Sequence, residues 1–340
     1  MKDIITNYFK VIVIKFIAIL TLIIVSIGCL NGNDSDELYT TTLMLDWTPN
    51  TNHTGIYVAL DQGWYEEMGI DLQIIEPAAA GVESVLGQGQ ADFGISYAEY
   101  MIPARLAEIP ITSIATILPH NDSSLMSLSS TGIESPKDLE GKTYGGWGGP
   151  LEKSLIDKLV ACAGGDPEKV EYVEVGNIDY VPGMQQGRFD FVWVFEGWDV
   201  IRAKNMDGVG INTLKFIDYT NCIPDWYTPL IASNDKLISE NPDLVRSFLD
   251  ATNRGYEYAM SNPDEAATIL LKSVPELDEQ LVKNSAQHLS TRYKSEDNQW
   301  GYQELNIWED FELFLLQSGI TENSLAVENV YSNEFLPSSD

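Results

Sequence analysis

Strand-like and helix-like segments alternate along this chain, and the alternation runs through twice, restarting after Thr131. In the first pass, Tyr39 to Asp46 reads as a strand that ends at Trp47-Thr48-Pro49-Asn50, a turn-rich break. A helix-like stretch over 55–68 stops at Gly69, followed by a strand over 70–75 and a short helix over 81–87. A strand over 91–95, a helix over 99–107 and a strand over 111–117 complete the pass. The second pass has strands over 142–145, 170–175 and 189–195, with helices over 151–163 and 180–186 between them. Leu230-Ile231-Ala232 reads as a strand leading back, and four helices follow over 244–260, 263–273, 278–289 and 302–317. Alternation of this kind implies parallel sheets with helices on both faces. The expected class is therefore α/β, with two lobes joined by a hinge that the chain crosses near Ser127 and near Leu230. Two crossings between α/β lobes make a closable cleft. The expected boundaries are 40–127 plus 231–325 for the first lobe, 128–230 for the second, and a tail over 326–340.

The first residues follow a different rule. Lys2, Lys10 and Lys15 flank apolar stretches, residues 16–27 are almost unbroken apolar sequence, and a polar run from Asn31 to Glu37 follows Gly28-Cys29. This pattern reads as an export signal over 1–28, its positive end kept inside, and a linker over 29–39. Ser26-Ile27-Gly28-Cys29 resembles a lipobox, in which the Cys takes a lipid and becomes the new N-terminus, although Ser26 sits where Leu or Val is usual. The alternative is an uncleaved anchor with Cys29 a bystander. Both readings put the chain from Asp34 onward outside the cytoplasm, at the outer face of the cytoplasmic membrane. Cys162 and Cys222 are then the remaining thiols; one disulfide is possible in an oxidising compartment, and no CxxC or Cys/His cluster suggests zinc. The formal net charge of −31 argues against nucleic acid as a partner, since phosphates would be repelled.

Ligands of open α/β sheets bind beyond the carboxyl ends of the strands. The residues expected there are Asp46, Trp47, Asn50 and His53; Ser96, Tyr97, Glu99 and Tyr100; His120 and Asn121; Trp147 within Gly145 to Gly149; Glu196 beside Trp193 and Trp198; and Asp225, Trp226 and Tyr227. Aromatic faces stack a flat ring, and carboxamide or carboxylate groups read its polar edge. Each aromatic taken singly fits a core position at least as well, and Trp64, Trp300 and Trp308 lie in helical patterns that assign them to packing. The glycine run could cradle a phosphate at a helix start, but it holds no Lys or Arg and Glu152 follows it. A tight turn that lets Trp147 approach a ligand is the preferred reading.

Four stretches carry a family resemblance: Leu45-Asp46-Trp47-Thr48-Pro49-Asn50-Thr51-Asn52-His53, Asp92-Phe93-Gly94-Ile95-Ser96-Tyr97, Lys142-Thr143-Tyr144-Gly145-Gly146-Trp147-Gly148 and Trp226-Tyr227-Thr228-Pro229. Together, spanning Thr41 to Gly319, they resemble the thiamine-pyrimidine branch of the SsuA-like solute-binding proteins. The resemblance implies a type II periplasmic-binding fold, a small aromatic solute of the pyrimidine type, an ABC permease as partner, a monomer, no cofactor and no catalysis. It also implies ligand contacts at Trp47, Asn50, Tyr97, Glu99 and Trp147, with Glu196, Trp226 and Tyr227 added from their strand-end positions. The same superfamily holds a pyrimidine synthase that consumes its own histidine. That enzyme looks to carry Lys and His around the positions of Ser96 to Tyr100 and a cysteine cluster near Asn221 to Tyr227; here Ser96, Tyr100 and the single Cys222 stand there. The same fold binding riboflavin or a sulfonate is the other alternative, and a sulfonate calls for Arg or Lys at strand ends, where few stand.

Overall fold

The computed structural model describes residues 38–176, 178–206 and 208–338. The expected export signal, Cys29 and most of the linker lie outside the described residues. In chain order the strands are β1 (Tyr39–Met44), β2 (Ile70–Ile75), β3 (Phe93–Ser96), β4 (Ile111–Thr116), β5 (Ser123–Leu128), β6 (Thr143–Gly146), β7 (Glu171–Glu174), β8 (Phe191–Phe195), β9 (Ile211–Lys215) and β10 (Leu230–Asn234). The helices are α1 (Thr54–Asp61), α2 (Trp64–Glu67), α3 (Val82–Gly87), α4 (Ala98–Leu106), α5 (Pro150–Cys162), α6 (Tyr180–Gln185), α7 (Ile201–Lys204), α8 (Asp235–Glu240), α9 (Pro242–Ser261), α10 (Pro263–Ser273), α11 (Glu279–Leu289) and α12 (Leu305–Gln317).

Two five-stranded sheets form, in the orders β2-β1-β3-β10-β4 and β7-β6-β8-β5-β9. Each is the centre of one α/β lobe. The expectation of parallel sheets holds only in part. β1 and β3 pair in parallel, as do β6 with β7 and β8, but β10 runs antiparallel between β3 and β4, and β5 runs antiparallel between β8 and β9. The antiparallel strands follow from the connectivity. β5 and β10 are the strands on which the chain enters a sheet from the other lobe, so both start at the cleft end instead of ending there. Ser123 sits opposite Phe195, the end of β8, and Leu230 sits opposite Ser96, the end of β3.

The crossings are therefore the segments 117–122 and 216–229, the first of them earlier than the expected crossing near Ser127. β5 and β9 have no counterpart in the sequence expectation. β5 is Ser-Ser-Leu-Met-Ser-Leu, whose serines resemble a loop, yet Ser123, Ser124 and Ser127 are buried in the middle of a sheet. The two crossing segments are tied together: Ile117 N–H donates to Pro229 O at 3.0 Å and Asn121 N–H to Asp225 Oδ1 at 2.9 Å.

The helices after Pro242 pack mainly on the first lobe. α9 has Leu244, Val245, Phe248, Leu249, Thr252 and Tyr256 on its buried side, and Phe248 stacks on Phe93 of β3 with ring centroids 3.8 Å apart. The segment expected as a tail over 326–340 is docked along its described part: Ser113 N–H donates to Val330 O, Ser332 N–H to Ser113 O, and Phe335 and Leu336 are buried. Its apolar residues cover the outer edge at β4. Cys162, at the end of α5, is disulfide-bonded to Cys222 in the second crossing segment, with Cα atoms 5.8 Å apart.

Candidate ligand-binding cleft

The loop after β1 is held by its own polar side chains. Asn50 caps the turn at 51–53: its side chain accepts from Asn52 N–H at 2.9 Å, and its own N–H donates to His53 Nδ1 at 3.2 Å. That bond makes Nδ1 an acceptor, so Nε2 carries the ring proton and donates to Asp46 Oδ1 at 2.7 Å. The second Asp46 oxygen accepts the Tyr97 hydroxyl. Burial by itself raises the Asp46 pKa; the electrostatic pull and hydrogen bond of His53, with the Tyr97 bond, bring it below the usual carboxylate value. The Asp46-His53-Tyr97 network thus fixes the loop that presents Trp47, which is 42% exposed.

The matching element of the second lobe is the glycine loop after β6. Gly148 has φ +81°, a left-handed conformation that β-carbon-bearing residues disfavour, and this bend projects Trp147, which is 55% exposed. Glu152, in the first turn of α5, accepts from the N–H groups of Trp147 (3.1 Å) and Gly149 (2.9 Å) and from the Tyr144 hydroxyl (2.8 Å). The backbone donors that could have bound a phosphate are occupied by a carboxylate of the chain itself. Glu152 lies three residues after the N-cap, the spacing of a capping box, and that was the available sequence signal for its role.

Trp47 and Trp147 meet edge to face across the cleft, with ring centroids 6.2 Å apart and planes at 86°. Tyr97 and Tyr100, 5.8 Å apart, stand at the start of α4. Glu99, on the same turn, is partly buried, and its Oε2 accepts the indole N–H of Trp226 at 3.0 Å. Burial, with a smaller contribution from Glu83, pushes the Glu99 carboxyl up to about 8. Tyr100 feels the charges of Glu99 and Glu83 from its own lobe and of Glu152 from the other. Among the described residues, Glu83, Glu99 and Glu152 have no Lys or Arg partner, and the basic partner of Asp46 is His53.

The remaining expected contacts sit elsewhere. Trp226 and Tyr227 are core residues, a correction to the sequence expectation. Trp226 is fully buried, stacked on Phe311 at 5.0 Å and edge-on to Trp193 at 5.9 Å, so it bridges the cores of both lobes at the hinge. Tyr227 packs against Trp308, and its hydroxyl accepts from Glu304 N–H at 2.6 Å. Asn50 is committed to its cap. Glu196 is buried at the end of β8; its Oε2 lies 3.6 Å from Lys215 Nζ, and its Oε1 has no hydrogen-bond partner among the described residues. Trp300 and Trp308 are fully buried, in line with a packing role.

Sequence reading missed the contacts that join the lobes behind the cleft. Asp122, in the first crossing segment, accepts from Gly197 N–H at 2.7 Å and approaches His288 Nε2 at 3.3 Å. Ser285 on α11 donates to Gly197 O and is hydrogen-bonded to Thr51 in the Trp47 loop. Residues 75 positions apart or more meet here, so no local signal existed.

The family model described as NMT1/THI5 like matches residues 50–266. The chain belongs to the NMT1/THI5-like family. As a member of that family it is 28% identical over 329 residues to the formylaminopyrimidine-binding protein of Halalkalibacterium halodurans, covering 94% of this chain and 98% of that one. It is 28% identical over 307 residues to a 4-amino-5-hydroxymethyl-2-methylpyrimidine phosphate synthase of Legionella pneumophila, covering 87% and 92%. The NMT1/THI5-like chain also has the fold of the aliphatic sulphonate binding protein SsuA from Escherichia coli, with a TM-score of 0.69 at 13% identity over 86% of this chain and 96% of that one. The two-lobed periplasmic-binding fold is thereby shown.

Proposed function

We propose that this protein is a solute-binding component of an ABC importer that captures a thiamine-pyrimidine precursor of the formylaminopyrimidine or hydroxymethylpyrimidine type outside the cytoplasm. The observation that carries this reading is the pairing of Trp47 and Trp147 from opposite lobes beside a group of carboxyls with no Lys or Arg partner. Two indoles supply stacking faces, and Glu99 reads the donor edge of an aminopyrimidine. Tyr97 holds the Trp47 loop through Asp46, Asn50 shapes that loop, and Glu196 is the second lobe's buried acceptor. A flat ring sandwiched between the indoles needs about 7 Å between their faces at van der Waals contact, which their edge-on contact does not leave. The lobes therefore part for ligand exchange, as a hinged clamp does.

The enzyme reading is the less favoured one. Cys222 is bonded to Cys162 and so has no free thiol for a metal, and Ser96 is hydrogen-bonded to Glu83 at 2.5 Å. A sulfonate finds no cation among these carboxyls. Riboflavin also suits the aromatic pair, and the calorimetry below separates it from a pyrimidine. The basic-apolar-polar start and the disulfide support an extracytoplasmic location, with a lipid on Cys29 as the anchor. In a bacterial host, Cys29→Ser is expected to move the protein from the membrane fraction to the soluble extract or leave its precursor unprocessed; unchanged processing and fractionation would refute lipidation.

Calorimetry with formylaminopyrimidine, riboflavin and an alkanesulfonate tests the ligand class. The pyrimidine is expected to bind, and replacement of Trp47 or Trp147 by alanine is expected to cost about 1–3 kcal/mol, the usual range for losing a stacking face under a base. Tight sulfonate or riboflavin binding without pyrimidine binding would sink the reading.

A further inference from the structure

Glu99 combines three properties. Part of its surface is open, one carboxyl oxygen is held by the Trp226 indole at 3.0 Å, and no Lys or Arg lies within ion-pair distance among the described residues. We propose that Glu99 binds the edge of a 4-aminopyrimidine as a two-hydrogen-bond couple containing one shared proton, and that the cleft refuses the same ring when it carries phosphate or sulfonate. This rests on the aminopyrimidine reading above.

The aminopyrimidine edge offers one donor, the exocyclic N–H, beside one acceptor, the ring nitrogen. A carboxylic acid offers the complementary pair, whereas a carboxylate is acceptor-only. With the proton absent, the carboxylate and the ring nitrogen face each other as two acceptors, and a buried acceptor without its hydrogen bond is costly. The surroundings keep that proton available. Around Glu99 stand Glu83 of α3, Tyr97 and Tyr100 at the start of α4, and Asp46 with His53 behind Tyr97. Glu152 of α5 acts on Tyr100, and Asp225 with His120 adjoins Trp226. The acidic groups all oppose a further negative charge, and each of the two histidines is engaged by its own aspartate. Burial and Glu83 accordingly raise the Glu99 carboxyl to about 8, so it is mostly neutral at pH 7.

The exclusion of anions has two physical sources. Glu152 already occupies the N–H groups of Trp147 and Gly149 at the start of the 13-residue helix α5, where a phosphate would otherwise be stabilised. The acidic groups Asp46, Glu83 and Glu152 add repulsion toward a second anion, independently of the proton on Glu99.

The test is calorimetric titration of the purified protein with 4-amino-5-hydroxymethyl-2-methylpyrimidine and with its phosphate monoester, from pH 6.5 to 9.5. The alcohol is expected to bind at least 100-fold more tightly than the phosphate at pH 7. Its affinity is expected to fall about tenfold per unit above pH 8, because the free protein then loses the proton that the complex needs. Glu99→Gln keeps one donor and one acceptor without titrating; it is expected to bind within about fivefold of wild type at pH 6.5 and to stay flat to pH 9.5. Glu99→Ala is expected to lose at least tenfold at pH 6.5. A flat wild-type profile, the same alkaline decline in Glu99→Gln, or a phosphate bound as tightly as the alcohol would overturn the proposal while leaving the binder reading intact. Absence of binding by every aminopyrimidine would overturn both.

Discussion

Replacing Cys162 and Cys222 together by serine is expected to lower stability by about 4 kcal/mol. The bond closes a loop across 60 positions, and in the chain-entropy treatment a loop of that length removes about that much from the unfolded ensemble. It ties the end of α5, on the second lobe, to the segment that returns to the first. Cys162 is exposed, so reduction in solution reaches the bond. Urea unfolding with and without reductant measures the effect, and the serine double variant should match the reduced wild type. Equal midpoints with and without reductant would show that the loop stays closed in the unfolded chain without the bond.

Gly255→Ala is expected to destabilise the protein by about 3 kcal/mol, the upper end of the usual cost of overpacking. A β-carbon at Gly255 would lie 1.9 Å from the carbonyl oxygen of Gly55 and 3.1 Å from Ala59 Cβ, so α9 would have to move away from α1. The obstacle is backbone, which has no rotamer to change. Gly55 is constrained from the other side, where an added β-carbon would meet the Tyr256 ring at 2.4 Å. Alanine otherwise favours a helix interior by about 1 kcal/mol over glycine, and Asn253→Ala on the same helix is expected to be neutral or stabilising. An unchanged urea midpoint for Gly255→Ala would mean that the two helices separate freely. The consequence reaches the cleft, because α1 follows directly from the loop that presents Trp47 and Tyr256 donates its hydroxyl to Asn52 O in that loop.

Much of the cleft was legible because its parts are local. A strand that stops at Asp46-Trp47-Thr48-Pro49-Asn50 must place those residues at its carboxyl end, and the same holds for Tyr97 after β3 and Trp147 after β6. Trp226 and Tyr227 were misplaced because an aromatic beside a strand end looks the same whether it faces a ligand or a core. Only the position of Phe311 and Trp308, more than 80 residues later, decides between them. Glu152 was noted as an argument against phosphate without its cause, which is its capture of two backbone N–H groups of the preceding loop.

The sequence by itself determined the α/β class, the two lobes and the aromatic and acidic character of the strand ends, since periodicity and turn residues act within a few positions of themselves, and the family was legible from the resemblance of four short stretches. The tertiary structure alone decided the antiparallel entry strands, the earlier crossing into β5, the Cys162–Cys222 bond, the Asp122 junction and the raised pKa of Glu99. Each of these depends on groups far apart in the chain brought within a few ångströms, and for Glu99 on the removal of water by surrounding residues, neither of which local pattern encodes.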